Sequence, residues 1–204
     1  MSPPRLRREI KVDYLTRVEG EGGLEVRLSD GRIERLRLNI FEPPRLFEAF
    51  LVGRSYEELA DMTARICGIC PVAYQMSAVH AAEDAFGVQV EGQLRKLRRL
   101  LYCGEWIESH LLHVYLLAAP DFLGYPSGLA MATDYPEVVK QGLAMKRIGN
   151  DLVALLGGRA IHPVSATVGG FTRVPAREEL APIRERLLRG KEMAIQGVAW
   201  AARL

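Results

Sequence analysis

Leu24-Glu25-Val26-Arg27-Leu28-Ser29-Asp30-Gly31-Arg32-Ile33 is a strand, a tight turn and the start of a second strand. Apolar and polar residues alternate with period two on either side of Ser29-Asp30-Gly31, and that turn sequence favours a hairpin. Reading backward from it, Val12 and Tyr14 extend the alternation to Ile10; reading forward, Leu36, Leu38 and Ile40 continue it. A small antiparallel sheet is predicted, closed by Pro43 and Pro44. Beyond those prolines the apolar period becomes helical almost throughout.

Helix boundaries follow from local chemistry. One helix runs from Pro44 to Leu51, ended near Gly53. Ser55 with Glu58 three residues later forms a capping box for the next, toward Ala64. Pro71 opens a third at its first position, ending at Gly87. A long helix is expected from Glu91 to Ala118, and another from Tyr135-Pro136 to Leu156. Arg159 to Pro175 is rich in turn formers, and a final helix begins near Ala176. The fold class is therefore α+β, mainly α: residues 1–42 form a sheet region and residues 43–204 a helical bundle. The last helix carries Met193, Ile195, Val198 and Trp200 and reaches Leu204 without a stop signal, as expected of a longer chain.

With 204 residues, 49% hydrophobic and 25% charged, the chain has apolar material for a substantial core and is expected to form one globular unit. A net charge of +2 does not suit a nucleic-acid partner. Arg5, Arg7 and Arg8 are expected in a solvated tail, and Arg95, Lys96, Arg98 and Arg99 on a solvated helix face. Three cysteines at uneven spacing do not resemble a secreted disulfide frame, so a reducing compartment is expected. The N-terminus lacks an apolar signal core, and Leu111 to Pro120 is too short to span a bilayer. Cytoplasmic location without membrane insertion follows.

Chemistry concentrates at Arg65-Ile66-Cys67-Gly68-Ile69-Cys70-Pro71. Cys70 precedes a helix-opening proline, where free N–H groups and the helix dipole favour a thiolate. Gly68 lets the turn bring Cys67 toward the same point. Two soft donors suit zinc, nickel or iron, which ordinarily take about four protein ligands. On spacing alone this is half of a zinc site or a redox dithiol; Cys103, His80, His110, His113 and His162 show no zinc-finger spacing. Cys103 is expected as a buried small hydrophobe. His110 and His113 are expected as core or interface residues, and His80 lies too far along its helix to join Cys70.

With Val72-Ala73-Tyr74 the same run resembles the first metal-binding signature of the nickel-iron hydrogenase large subunit. Thr16-Arg17-Val18-Glu19-Gly20-Glu21-Gly22, Phe47-Glu48, Gly157-Gly158-Arg159-Ala160-Ile161-His162-Pro163 and Val168-Gly169-Gly170 resemble further family motifs, in order. The resemblance implies reversible heterolysis of dihydrogen. It implies Cys67 as a terminal nickel ligand and Cys70 as a thiolate bridging nickel to an iron that also carries carbon monoxide and cyanide. Glu19 becomes the first proton relay, a role that suits a carboxyl raised toward neutrality. Glu48 becomes a ligand of a hard cation, magnesium. Arg65 orients groups near the cysteines, or pairs with a local acid. His162 belongs to a loop beside the site.

Tyr74 stands where many members have a histidine that donates to the bridging sulfur, and a tyrosine also donates. Tyr74 and Glu21 resemble the soluble, cytoplasmic, bidirectional branch linked to NADP or NAD, some of whose members reduce sulfur. The family's second cysteine pair is absent, so this chain alone is expected to be inactive. Without cysteines for iron-sulfur clusters, it implies an iron-sulfur small subunit as partner, diaphorase subunits beyond it, and maturation factors for the metals. Two other classes remain: a metal-free hydrogenase-like subunit of the complex I type, and a small helical zinc or dithiol module.

Overall fold

Three antiparallel strands in the order β1-β2-β3 begin the chain: β1 (Arg7–Val12), β2 (Gly22–Ser29) and β3 (Arg32–Ile40). The computed structural model describes residues 7–16, 18, 20–42 and 44–204. Two compact units result, Met1–Ala49 and Phe50–Leu204, rather than the single unit that composition suggested.

In the first unit, Asp30 and Gly31 both have positive φ, 52° and 76°, which is the two-residue turn whose twist matches a hairpin. Ser29 pairs with Arg32 across it, and a register shift follows at Arg27/Leu28. Val12 faces Leu24, Leu24 faces Leu38 and Val26 faces Leu36, so the predicted apolar alternation does share one face. Arg7 and Arg8 lie in β1 opposite Ser29 and Leu28, not in a tail; backbone pairing to β2 recruits them. Helix α1 (Pro44–Leu51) follows.

The second unit is helical. Helix α2 (Tyr56–Ala64) starts at Ser55, whose N–H donates to the Glu58 carboxylate at 3.0 Å. Helix α3 (Pro71–Phe86) has Pro71 in its first turn and ends on left-handed Gly87, where Val88 N–H donates to the Glu83 carbonyl. Helix α4 (Gly92–Leu112) continues into a π-helical turn (His113–Ala118) and then α5 (Ala119–Leu123). The short α6 (Gly128–Met131) precedes α7 (Pro136–Gly157) and α8 (Arg177–Ala201). Between the last two, the predicted loop contains a small hairpin, β4 (Ala166–Thr167) and β5 (Gly170–Phe171).

One core gathers Val72, Met76 and Val79 from α3, Leu101 from α4, and Ile148, Leu152, Val153 and Leu156 from α7. Helices α4 and α7 approach closely because each places a glycine at the crossing: a Cβ on Gly149 would lie 2.6 Å from the Glu108 nitrogen and 2.7 Å from the Gly104 carbonyl oxygen.

The face of α4 turned inward carries charge as well as leucine. Arg98 is buried, against the expectation of a solvated helix face. Its guanidinium donates to both Glu83 oxygens, at 2.8 and 2.5 Å, and to the Thr167 carbonyl at 3.0 Å. Glu83 also accepts from Gly169 N–H at 2.9 Å, so the pair fastens α3, α4 and the hairpin together. Position 98 is one turn ahead of the fully buried Leu101, which puts it on the inner stripe.

Candidate metal centre

The turn between α2 and α3 carries both cysteines, each half-buried. Their Cα atoms lie 5.4 Å apart and the structure joins the sulfurs as a disulfide. Two free thiolates were expected; the three-residue separation that suits a shared metal also brings the sulfurs within bonding reach, and reduction restores both donors. Cys70 N–H donates to the Cys67 sulfur at 3.1 Å, an arrangement that stabilises negative charge on that sulfur once the disulfide is reduced. Cys70 is the N-cap of α3.

The loop that follows α7 docks onto the two helices flanking this turn. His162, at a positive φ of 50°, makes a ring-nitrogen contact of 2.7 Å with the Ala64 carbonyl at the end of α2. Gln75 on α3 donates to the Pro163 carbonyl at 2.6 Å. The Gln75 side-chain oxygen is buried without a partner among the described residues. Gly157 permits this approach, since a Cβ there would meet Pro163 at 2.4 Å. Arg159 donates to the His162 carbonyl at 2.6 Å and lies 3.8 Å from Asp61. The His162 loop therefore closes over the same end of α2 from which the cysteine turn departs.

Arg65 donates to Asp61 at 3.0 Å, so of the two expectations for it, the local acid pair is the contact present. Tyr74 lies one turn into α3 and is 39% exposed. Glu48 lies on α1 in the first unit, bound by Arg45 at 2.8 Å. Glu19 lies outside the described residues. Cys103 is half-buried rather than buried, because it borders an apolar cavity of about 490 Å³ with Trp106, His110 and Met145. His110 and His113 are both exposed, not core residues.

Glu105 belongs to none of the motifs above. It is 4% exposed, and its carboxylate accepts from Val72 N–H at 2.6 Å and Ala73 N–H at 3.2 Å, the opening turn of α3. Burial pushes its carboxyl up to about 7, the two N–H groups pull it down, and Glu108 pushes it up again. A signal was present: Leu101, Glu105, Glu108 and Leu112 recur at helical spacing, which sets two acids on an apolar stripe. Glu108 is neutralised by Lys146 from α7, at 2.9 Å.

The donor chemistry fits a soft or borderline metal in part. Two sulfurs converge with an N–H donor beside them, but among the described residues no three His, Cys, Asp or Glu side chains group closely enough to hold an ion. The described residues thus present two ligands of the usual four. Glu48 does not fit a magnesium site by itself. It offers one carboxylate, already engaged by Arg45, where such an ion takes six or so oxygens.

Comparison with known proteins agrees with the motifs. The family described as nickel-dependent hydrogenase matches residues 45–141. Sulfhydrogenase 2 subunit alpha of Pyrococcus furiosus is 46% identical over 176 residues, covering 86% of this chain and 43% of that subunit. Sulfhydrogenase 1 subunit alpha of the same organism is 40% identical over 178 residues, covering 87% and 42%. Among solved structures, an NAD+-reducing NiFe hydrogenase in the H2-reduced state superposes with a TM-score of 0.81 at 35% identity, over 96% of this chain and 45% of that one. The chain spans less than half the length of the curated relatives it matches. It belongs to the nickel-dependent hydrogenase family, as a counterpart of the N-terminal part of the large subunit.

Proposed function

We propose that this chain supplies half of the protein ligands of a nickel-iron centre, within a hydrogenase that passes electrons to an iron-sulfur small subunit and on to NADP or NAD. The observation that carries the reading is the pair of sulfurs converging at the start of α3, in a chain that belongs to the nickel-dependent hydrogenase family. Cys67 would hold the nickel, and Cys70 would hold both the nickel and an iron that carries carbon monoxide and cyanide. When bound, that centre supplies heterolytic cleavage of dihydrogen.

The chain's own groups prepare the place. The N–H of Cys70 holds the Cys67 sulfur, and the His162 loop, fixed by Gln75 and Arg159, walls one side of the turn. Tyr74 stands one turn along α3 as a donor for the bridging sulfur. Glu19 carries protons away from the terminal sulfur. Similarity to the sulfhydrogenases and to the NAD+-reducing hydrogenase supports NADP or NAD as acceptor; diaphorase subunits, maturation factors and a cytoplasmic location belong to the same reading. No helix among the described residues is long and apolar enough to cross a membrane.

Metal analysis of the complete protein, purified with its partner subunit, tests the reading. Nickel and iron together are expected, and zinc alone without hydrogen uptake would sink it. Cys67→Ser and Cys70→Ser should each abolish nickel retention. Glu19→Gln should keep both metals and lose hydrogen–deuterium exchange; unchanged exchange removes Glu19 from the proton path.

A further inference from the structure

The N-cap side chain of a helix ordinarily accepts from the N–H groups two or three residues on. Cys70 occupies that position in α3 and its sulfur makes no such bond. The N–H groups of Val72 and Ala73 donate instead to Glu105, which reaches them from α4 across 33 positions of sequence. No cation pairs with Glu105 among the described residues; Lys146, the lysine nearest in the network, is held by Glu108 and Asn150. An acid buried without a counter-ion is costly, and a neutral side chain would fill the space at lower cost. What the carboxylate does there is occupy both free donors of the helix start.

We propose that Glu105 is a positioning residue of the metal centre: by capping α3 in place of Cys70, it keeps the Cys70 sulfur off the helix N–H groups and free to serve as a ligand beside Cys67. The inference rests on the assignment of Cys67 and Cys70 as metal ligands. Without the Glu105 oxygens, the Val72 and Ala73 N–H groups have the Cys70 sulfur as their nearest acceptor in the N-cap position. Bonds from them would turn that sulfur toward the helix and withdraw electron density from it.

The test compares Glu105→Gln and Glu105→Ala in the complete protein with its partner subunit. A core variant, Leu152→Ala, serves as a control for lost stability, since its apolar side chain belongs to the core and takes no part in the hydrogen bonds of the cap or of the cysteines. Nickel and iron content, the infrared bands of the iron's carbon monoxide and cyanide, and melting temperature are measured for each. Glu105→Ala is expected to lose roughly 10- to 100-fold in nickel affinity, as loss of a group that orients a ligand does. Glu105→Gln, which keeps one acceptor and the shape, is expected to retain nickel and shift the infrared bands to higher wavenumber. Metal content and bands equal to the parent in both variants would overturn the proposal. So would the same changes in Leu152→Ala at a matched melting temperature. A parent protein without nickel and iron would instead overturn the ligand assignment, and this inference with it.

Discussion

At Glu105 the folded chain holds a proton that the unfolded chain gives up. Its carboxyl sits near 7 instead of its ordinary 4.5, chiefly because burial disfavours the charge. The stability contributed by the neutral form is complete below about pH 4.5 and is lost as pH rises through 7. It amounts to no more than about 3 kcal/mol. Denaturant unfolding of the parent between about pH 5 and pH 8 should show stability falling with pH, and Glu105→Gln should flatten that slope. Parallel curves would assign the titration elsewhere. Glu83 runs the opposite way. Burial works to raise it, but the Arg98 hydrogen bonds, the Gly169 N–H and the Arg98 charge together hold it below its ordinary value. Its contribution is present above the ordinary carboxylate range and disappears as pH falls through the folded value. Arg98→Ala strands that buried carboxylate, and a loss of about 3–5 kcal/mol is expected in urea unfolding. A loss below about 1 kcal/mol would mean that water reaches the pair.

At the scale of elements, the close crossing of α4 and α7 depends on atoms that cannot move aside. A methyl group on Gly149 meets the α4 backbone at both Glu108 and Gly104, so Gly149→Ala should cost about 1–3 kcal/mol and lower the melting temperature. An unchanged melting temperature would show that the helices separate freely. Helix starts were legible in the sequence, because the decisive groups are neighbours: Ser55 and Glu58, and Pro71 itself. The β2–β3 turn was legible for the same reason, since Asp30 and Gly31 accept positive φ. The π-helical turn after Leu112 was not, because the apolar period of His113–Ala118 continues the helical pattern without a breaker. The β4–β5 hairpin, two residues per strand, is too short for alternation to register.

For the whole molecule, the described residues bring two sulfurs to the proposed metal centre and no third close ligand. Two sulfurs without a third ligand among the described residues should hold nickel weakly. The reduced chain, loaded with nickel and passed through gel filtration, is expected to lose the metal that the complete protein keeps. Stoichiometric retention would show that the remaining donors come from these 204 residues.

The sequence by itself determined the three-stranded sheet, the longer helices and the placement of Cys67 and Cys70 at a helix start. Those are outcomes of side chains acting over a turn or less, where propensity and capping suffice. Tertiary structure decided which charges are buried and what they hold. Glu105 reaches α3 across 33 positions, and His162 reaches Ala64 across 98. Arg98 differs from its solvated neighbour Arg99 only in the face of α4 that α3 and the hairpin cover. Burial is a property of the packed helices, and a charge acquires its partner, and its pKa, when that packing removes water.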